Sequence, residues 1–155
     1  MTTKTQLQNK IQELEAELQS FKTQLSNYQE LTLENAEPGD VLNDGTVVIS
    51  KFNGLALLAS PKETEVTCTW SSTFPEVYQK LQEKGFNPSQ WFIPTIEQLK
   101  LAYSVASQDF ASCVYWSSTE VSSTNACGLD FFNGGVVSYS KAITLCVRAF
   151  RCVTY

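Results

Sequence analysis

Near the start of the chain, apolar residues recur in alternating steps of four and three: Leu7, Ile11, Leu14, Leu18, Phe21, Leu25 and Tyr28. This spacing predicts a helix with one narrow seam, placing Ile11, Leu18 and Leu25 at heptad position a and Leu7, Leu14, Phe21 and Tyr28 at d. Gln, Glu and Lys flank the seam, which suits a bundle better than a globular surface. In parallel register Lys10 at g faces Glu15 at e of a neighbouring copy, and Glu17 faces Lys22, so the flanks attract. Bulky Phe21 and Tyr28 at d crowd a two-stranded seam, and a parallel homotrimer is expected. The alternative is a lone amphipathic helix packed on its own domain. A helix over 4–33 would make a stalk of about 45 Å at ~1.5 Å per residue. Glu34-Asn35-Ala36-Glu37-Pro38-Gly39-Asp40 has the composition of a boundary. The expected organisation is a coiled-coil stalk over 1–37 and a head over 38–155.

The head mixes both periods. Thr46-Val47-Val48-Ile49-Ser50 and Leu55-Ala56-Leu57-Leu58-Ala59, joined by Phe52-Asn53-Gly54, predict a hairpin with one buried face. Residues 61–73 are polar and are expected as a loop or irregular strand. Helical spacing returns over 74–84, where Val77, Tyr78 and Leu81 share a face and Gly85 suits the C-terminal cap. Trp91-Phe92-Ile93 predicts a short buried strand stopped by Pro94. Thr95, with Gln98 three residues on, predicts a capped second helix whose apolar face is Ile96, Leu99, Leu101, Ala102 and Val105. Asn133-Gly134-Gly135 between aromatic and apolar runs signals another hairpin. In the last run Val147, Ala149 and Val153 alternate with larger residues, the period of a half-buried strand.

A length of 155 residues allows one ordinary domain plus an extension. A net charge of -5 argues against a nucleic-acid surface, which needs clustered Lys and Arg. No run of eighteen apolar residues occurs, so no membrane insertion is expected. The first residues lead straight into a polar helix without an apolar signal core, so secretion through a leader is not expected from the sequence as written. With no histidine, Ser/His/Asp and Cys/His constellations are excluded, and a zinc site would need thiolates at unusual spacing. No catalytic residue, metal site or cofactor is expected. The carboxylates Glu120, Asp109 and Asp130 read as solvated or salt-bridged. Cys68, Cys113, Cys127, Cys146 and Cys152 read first as buried free thiols acting as small hydrophobes, with a disulfide such as Cys127–Cys146 as the alternative.

One stretch organises the head: Tyr115-Trp116-Ser117-Ser118-Thr119-Glu120, followed by Asn125-Ala126, Asn133-Gly134 and Val147-Arg148-Ala149-Phe150-Arg151. Together with Trp91-Phe92-Ile93-Pro94-Thr95-Ile96-Glu97-Gln98-Leu99, Gly39-Asp40 and Gly54-Leu55-Ala56-Leu57-Leu58-Ala59-Ser60-Pro61, it resembles the C-terminal domain of the Legionella collagen-like adhesin family. That family was long a domain of unknown function in bacterial surface proteins and phages. The resemblance runs over about 38–151 in the family's motif order. It implies an α+β fold of the C-type-lectin-like kind with an antiparallel sheet, related to formylglycine-generating enzymes and phage receptor-binding domains. It implies binding rather than a reaction. The enzymes' copper-binding cysteine pattern has no match here, and their activity is not carried over.

Within that stretch Trp116 is expected to fill the core, and the hydroxyls to satisfy loop amides. Arg148 and Arg151 are expected to pair with Glu120 or Asp130. Ligand contact is expected on the surface between framework residues, at Trp70, Asn125, Phe132, Asn133, Ser138, Tyr139 and Ser140. Phe132 and Tyr139 would present aromatic area on one side if Phe131 and Val137 face the core. The leading expectation is a non-enzymatic recognition head for a host glycan or protein receptor, raised on an oligomeric stalk of a phage fibre, spike or capsid knob. Other virion proteins would be its neighbours. The alternatives are a purely structural capsid-decoration or tail-attachment protein, a bacterial cell-surface location and, by fold analogy alone, an enzyme of the formylglycine type.

Overall fold

A computed structural model describes residues 3–27 and 31–155. The chain is α+β and divides into two compact units, before and after the Leu31/Thr32 junction. The first unit holds one helix, α1 (Lys4–Asn27), of 24 residues. That is about 36 Å of helix at ~1.5 Å per residue. The expected helix over 4–33 is therefore too long, because residues 33–35 form a turn. Tyr28 lies outside the described residues. Residues 32–37, expected with the stalk, pack in the second unit. Ala36 is fully buried, and Lys51 Nζ donates to the carbonyls of Glu34 and Ala36 at 3.0 and 2.9 Å.

The second unit carries two sheets. β1 (Val47–Phe52), β2 (Leu55–Ala59) and β8 (Phe150–Thr154) form an antiparallel three-stranded sheet in that order. The β1–β2 turn is Asn53-Gly54, both at positive φ (50° and 75°), as a tight two-residue hairpin requires. β3 (Val66–Thr69), β7 (Thr144–Val147), β4 (Val114–Glu120), β5 (Asn125–Asp130) and β6 (Val136–Ser140) form the second sheet in that spatial order. The expected antiparallel sheet is mixed, because β4 and β7 run parallel at Tyr115 and Cys146.

Period-two alternation sends neighbouring residues of β4 into different cores. Tyr115, with Leu129 and Phe150, meets Leu99, Ala102 and Ala106 of α3 (Ile96–Ala106) and an aromatic group of Phe110 and Phe131. Trp116, with Ala126 and Val147, meets Val77 and Leu81 of α2 (Thr73–Glu83). α2 ends at Gly85 (φ 84°), where the Phe86 amide returns to the Leu81 carbonyl at 3.0 Å. α3 begins with the expected capping box between Thr95 and Gln98.

Three local readings are corrected. Trp91-Phe92-Ile93 forms no strand, and only Phe92 bridges, to Phe150. Within residues 61–73 lie two 3-10 turns and the regular strand β3. The last run is two strands in different sheets, β7 and β8, because the chain crosses between sheets at Arg148-Ala149. Alternation of smaller and larger residues in the sequence concealed the crossing, whereas in the structure Val147, Arg148, Ala149 and Phe150 are all buried.

Candidate binding surface on the second unit

In the Tyr115–Glu120 stretch the polar groups of Tyr115, Trp116, Ser117 and Thr119 are spent on the fold. Trp116 is fully buried and its Nε1 donates to the Cys68 carbonyl at 3.1 Å. The Ser117 hydroxyl donates to the Cys127 carbonyl at 2.8 Å, and the Thr119 hydroxyl accepts from the Ile96 amide at 3.1 Å. Tyr115 is also fully buried, and its hydroxyl donates to Glu65 Oε2 at 2.5 Å. Burial, then the bond to Glu65, raise the Tyr115 phenol far above its ordinary pKa.

The expected ligand residues fall into two groups at opposite ends of the β5–β6 hairpin. At the turn end, Phe132 is 78% exposed, while the Asn133 side chain accepts from the Gly135 amide at 2.7 Å and so shapes the turn. Gly134 (φ 76°) is required there, since a Cβ would lie 2.6 Å from the Tyr103 ring. At the other end Asn125 pairs with Ser140. Along the β5–β6 pair, Ser138 and Ser140 share one face with Asn125, and Tyr139 shares the other with Val137. The expected arrangement, with Val137 turned away from Tyr139, is therefore corrected. Both lie on one face of an edge strand, where Val137 is half-buried and Tyr139 is 41% exposed. Phe131 does face the core.

The Asn125–Ser140 end gathers chemistry that the sequence reading placed only in part. Lys141, just past β6, donates to Glu120 Oε2 at 2.6 Å and to the Ser123 carbonyl at 3.2 Å, and its ammonium lies 4.4 Å from the centre of the Trp70 ring. Its amide donates to the Thr124 carbonyl at 2.8 Å, and the Trp70 amide donates to the Lys141 carbonyl at 3.1 Å. Trp70 Nε1 donates to the Ser117 carbonyl at 2.8 Å, which fixes the indole. Around this cluster Ser122, Ser123 and Thr124 are exposed. The result is a half-buried indole, an ion pair, an amide and several hydroxyls at one sheet end. Such a set stacks on and hydrogen-bonds to an uncharged polar ligand. Lys141 had no marking in the sequence, because its partners are 17 to 71 positions away in the chain.

The arginines take other partners than expected. Arg148 Nε donates to the Ser60 carbonyl at 2.6 Å and Nη1 to the Asp109 carbonyl at 2.5 Å. Arg151 lies 3.8 Å from Asp44 and 4.7 Å from the Trp91 ring centre. The sheet crossing is the reason, since Arg151 on β8 lies opposite Leu58 of β2 rather than in the sheet of Glu120 and Asp130.

Cys113 and Cys146 form a disulfide, correcting both cysteine readings for these two residues. Cys127 cannot reach Cys146, because β4 lies between β5 and β7. Two strand spacings come to roughly 9–10 Å, and a disulfide spans about 4.4–6.8 Å between Cα atoms. Cys68, Cys127 and Cys152 are free, and Cys152 is exposed rather than buried. Burial pushes the Cys68 thiol up to about 11. Glu65 and the two bonded sulfurs lie within 4.8 Å of one another. As a disulfide the sulfurs are not thiolates, so this trio offers no thiolate ligand set. No family model matches the chain, and neither does any curated protein.

Proposed function

We propose that the protein is a non-enzymatic recognition protein of a virion surface, in which a parallel homotrimeric coiled-coil stalk displays C-type-lectin-like heads. The observation that carries this reading is the apolar seam of α1. Leu7, Ile11, Leu14, Leu18, Phe21 and Leu25 are between 51% and 73% exposed, in unbroken heptad register. Burying such a seam against copies of itself removes several large side chains from water, and each full burial is worth about 1.5–3 kcal/mol. The flanking pairs Lys10 with Glu15 and Glu17 with Lys22 favour parallel register. Three heads on one stalk turn weak single contacts into strong attachment without new chemistry. The resemblance of 38–151 to a family of bacterial surface and phage proteins supports the lectin-like fold and the virion setting.

The head would bind a neutral glycan or a protein receptor with the Trp70, Asn125, Ser140 and Lys141 end. Binding of the intact chain to a glycan array and to bacterial cells tests this. Asn125→Ala combined with Ser140→Ala should abolish retention while near-ultraviolet circular dichroism stays unchanged. Full retention by that folded variant would refute the assignment of this end. Phe132→Ala tests the turn end in the same way. A folded wild-type chain retained by neither surface would favour a purely structural virion protein.

A further inference from the structure

Arg148 sits where the chain crosses from one sheet to the other, and only 1% of it is exposed. Its guanidinium has two backbone carbonyl partners and lies 4.4 Å from the Phe110 ring centre. Nη2 is buried with no hydrogen-bond partner. None of the ion pairs among the described residues includes Arg148. A buried cation whose hydrogen-bond partners are all neutral is costly, with Glu65, Asp109 and Glu63 offsetting it only through their charge, and an orphaned N–H on it calls for an acceptor.

Arg148 also lines a pocket of about 120 Å³. Val41 and Val47 give this pocket apolar lining, and Lys62, Glu63 and Asp109 complete a charged set of both signs. The volume is close to that of a ~150 Å³ cavity able to hold benzene, so the pocket suits a ligand of about six heavy atoms. We propose that it binds a small zwitterionic carboxylate of α-amino-acid size. The carboxylate answers Arg148 and Lys62, and the ammonium answers Glu63 and Asp109. A dianion such as phosphate would meet two carboxylates in the same space, and an apolar ligand would leave the guanidinium unanswered. None of these lining residues belongs to the receptor surface assigned above, so the two assignments stand or fall separately.

Ligand-observed NMR on the intact chain tests the site with L-alanine, glycine, acetate, methylammonium and inorganic phosphate. L-Alanine or glycine should saturate with a dissociation constant of about 1 mM or tighter, and acetate should bind at least about tenfold more weakly. Phosphate and methylammonium should give no saturable signal. Lys62→Glu should weaken L-alanine about tenfold or more. Val41→Phe, which fills the pocket and leaves Arg148 in place, should remove binding. No saturation by either amino acid would overturn the site and leave water as the partner of Arg148. Phosphate binding ahead of the amino acids would overturn the ligand class. Undiminished binding in both folded variants would place any site elsewhere and overturn this one.

Discussion

β4 and α1 follow the same rule of amphipathic spacing and end in opposite states. β4 is flanked by β5 and β7, and its Tyr115 and Trp116 are fully buried in separate cores. In α1 all six described seam residues are exposed. The apolar residues of β4 find their partners within one chain, whereas the proposed heptad seam would find them in copies. A burial pattern read from sequence therefore says that a face must be covered, and not by which molecule.

The sharpest way to break this contrast is Leu18→Asp. It places a carboxylate from each copy inside the seam and should take the trimer to monomer by analytical ultracentrifugation. The second unit should keep its near-ultraviolet signal and its thermal transition. A wild-type chain sedimenting as a monomer would remove the stalk reading outright. Trp116→Ala should do the reverse, costing about 3–5 kcal/mol of second-unit stability in denaturant while α1 still oligomerises. A loss below about 1 kcal/mol would mean that Trp116 is not the core residue its burial indicates.

Cys113→Ala removes the disulfide to β7 beside β4. Its closed loop spans 33 positions, and the loss should be about 3–4 kcal/mol, matched by reducing the wild-type protein. Equal melting of oxidised and reduced protein would contradict a stabilising bridge. The smallest effect concerns Cys68, whose thiol is pushed from its ordinary 9.0 up to about 11 by burial and then by the Glu76 carboxylate. The folded state holds the proton more tightly, so this contribution is complete below about pH 9 and fades as pH rises towards 11. Unfolding midpoints across that window should fall less steeply in Cys68→Ala than in wild type. In the native protein at neutral pH, Cys152 should react with a thiol reagent and Cys68 should not.

Local chemistry was legible where a few neighbouring residues decide the outcome. Asn53-Gly54 marked a hairpin because its two residues tolerate positive φ, and Thr95 with Gln98 marked a helix start because the two satisfy each other's amides. The boundary near the helix was legible to within a few residues, but Ala36 falls with the second unit because of a long-range contact to Lys51. The sheet crossing at Arg148 was illegible, since alternation continues across it. The disulfide was illegible because strand order, not spacing, brings Cys113 to Cys146. Of the proposed binding surface, Trp70, Asn125 and Ser140 were named from residue type. Their gathering around Lys141 depends on the pairing of β5 with β6 and on the contact of Trp70 with the following loop.

The passage of the chain between sheets has a consequence for synthesis. β3 lies at the edge of its sheet and pairs only with β7, so residues 66–69 wait for 144–147. β2 likewise waits for β8, more than ninety positions later. Neither sheet can close until the last strands have left the ribosome, and contacts between segments so far apart in sequence form slowly. α1, by contrast, needs only its own residues to form, and under the proposed coiled coil it would meet its copies while the rest of the chain is still being made. For nascent chains side by side on one message, that proposal puts joining first and folding of the sheets last.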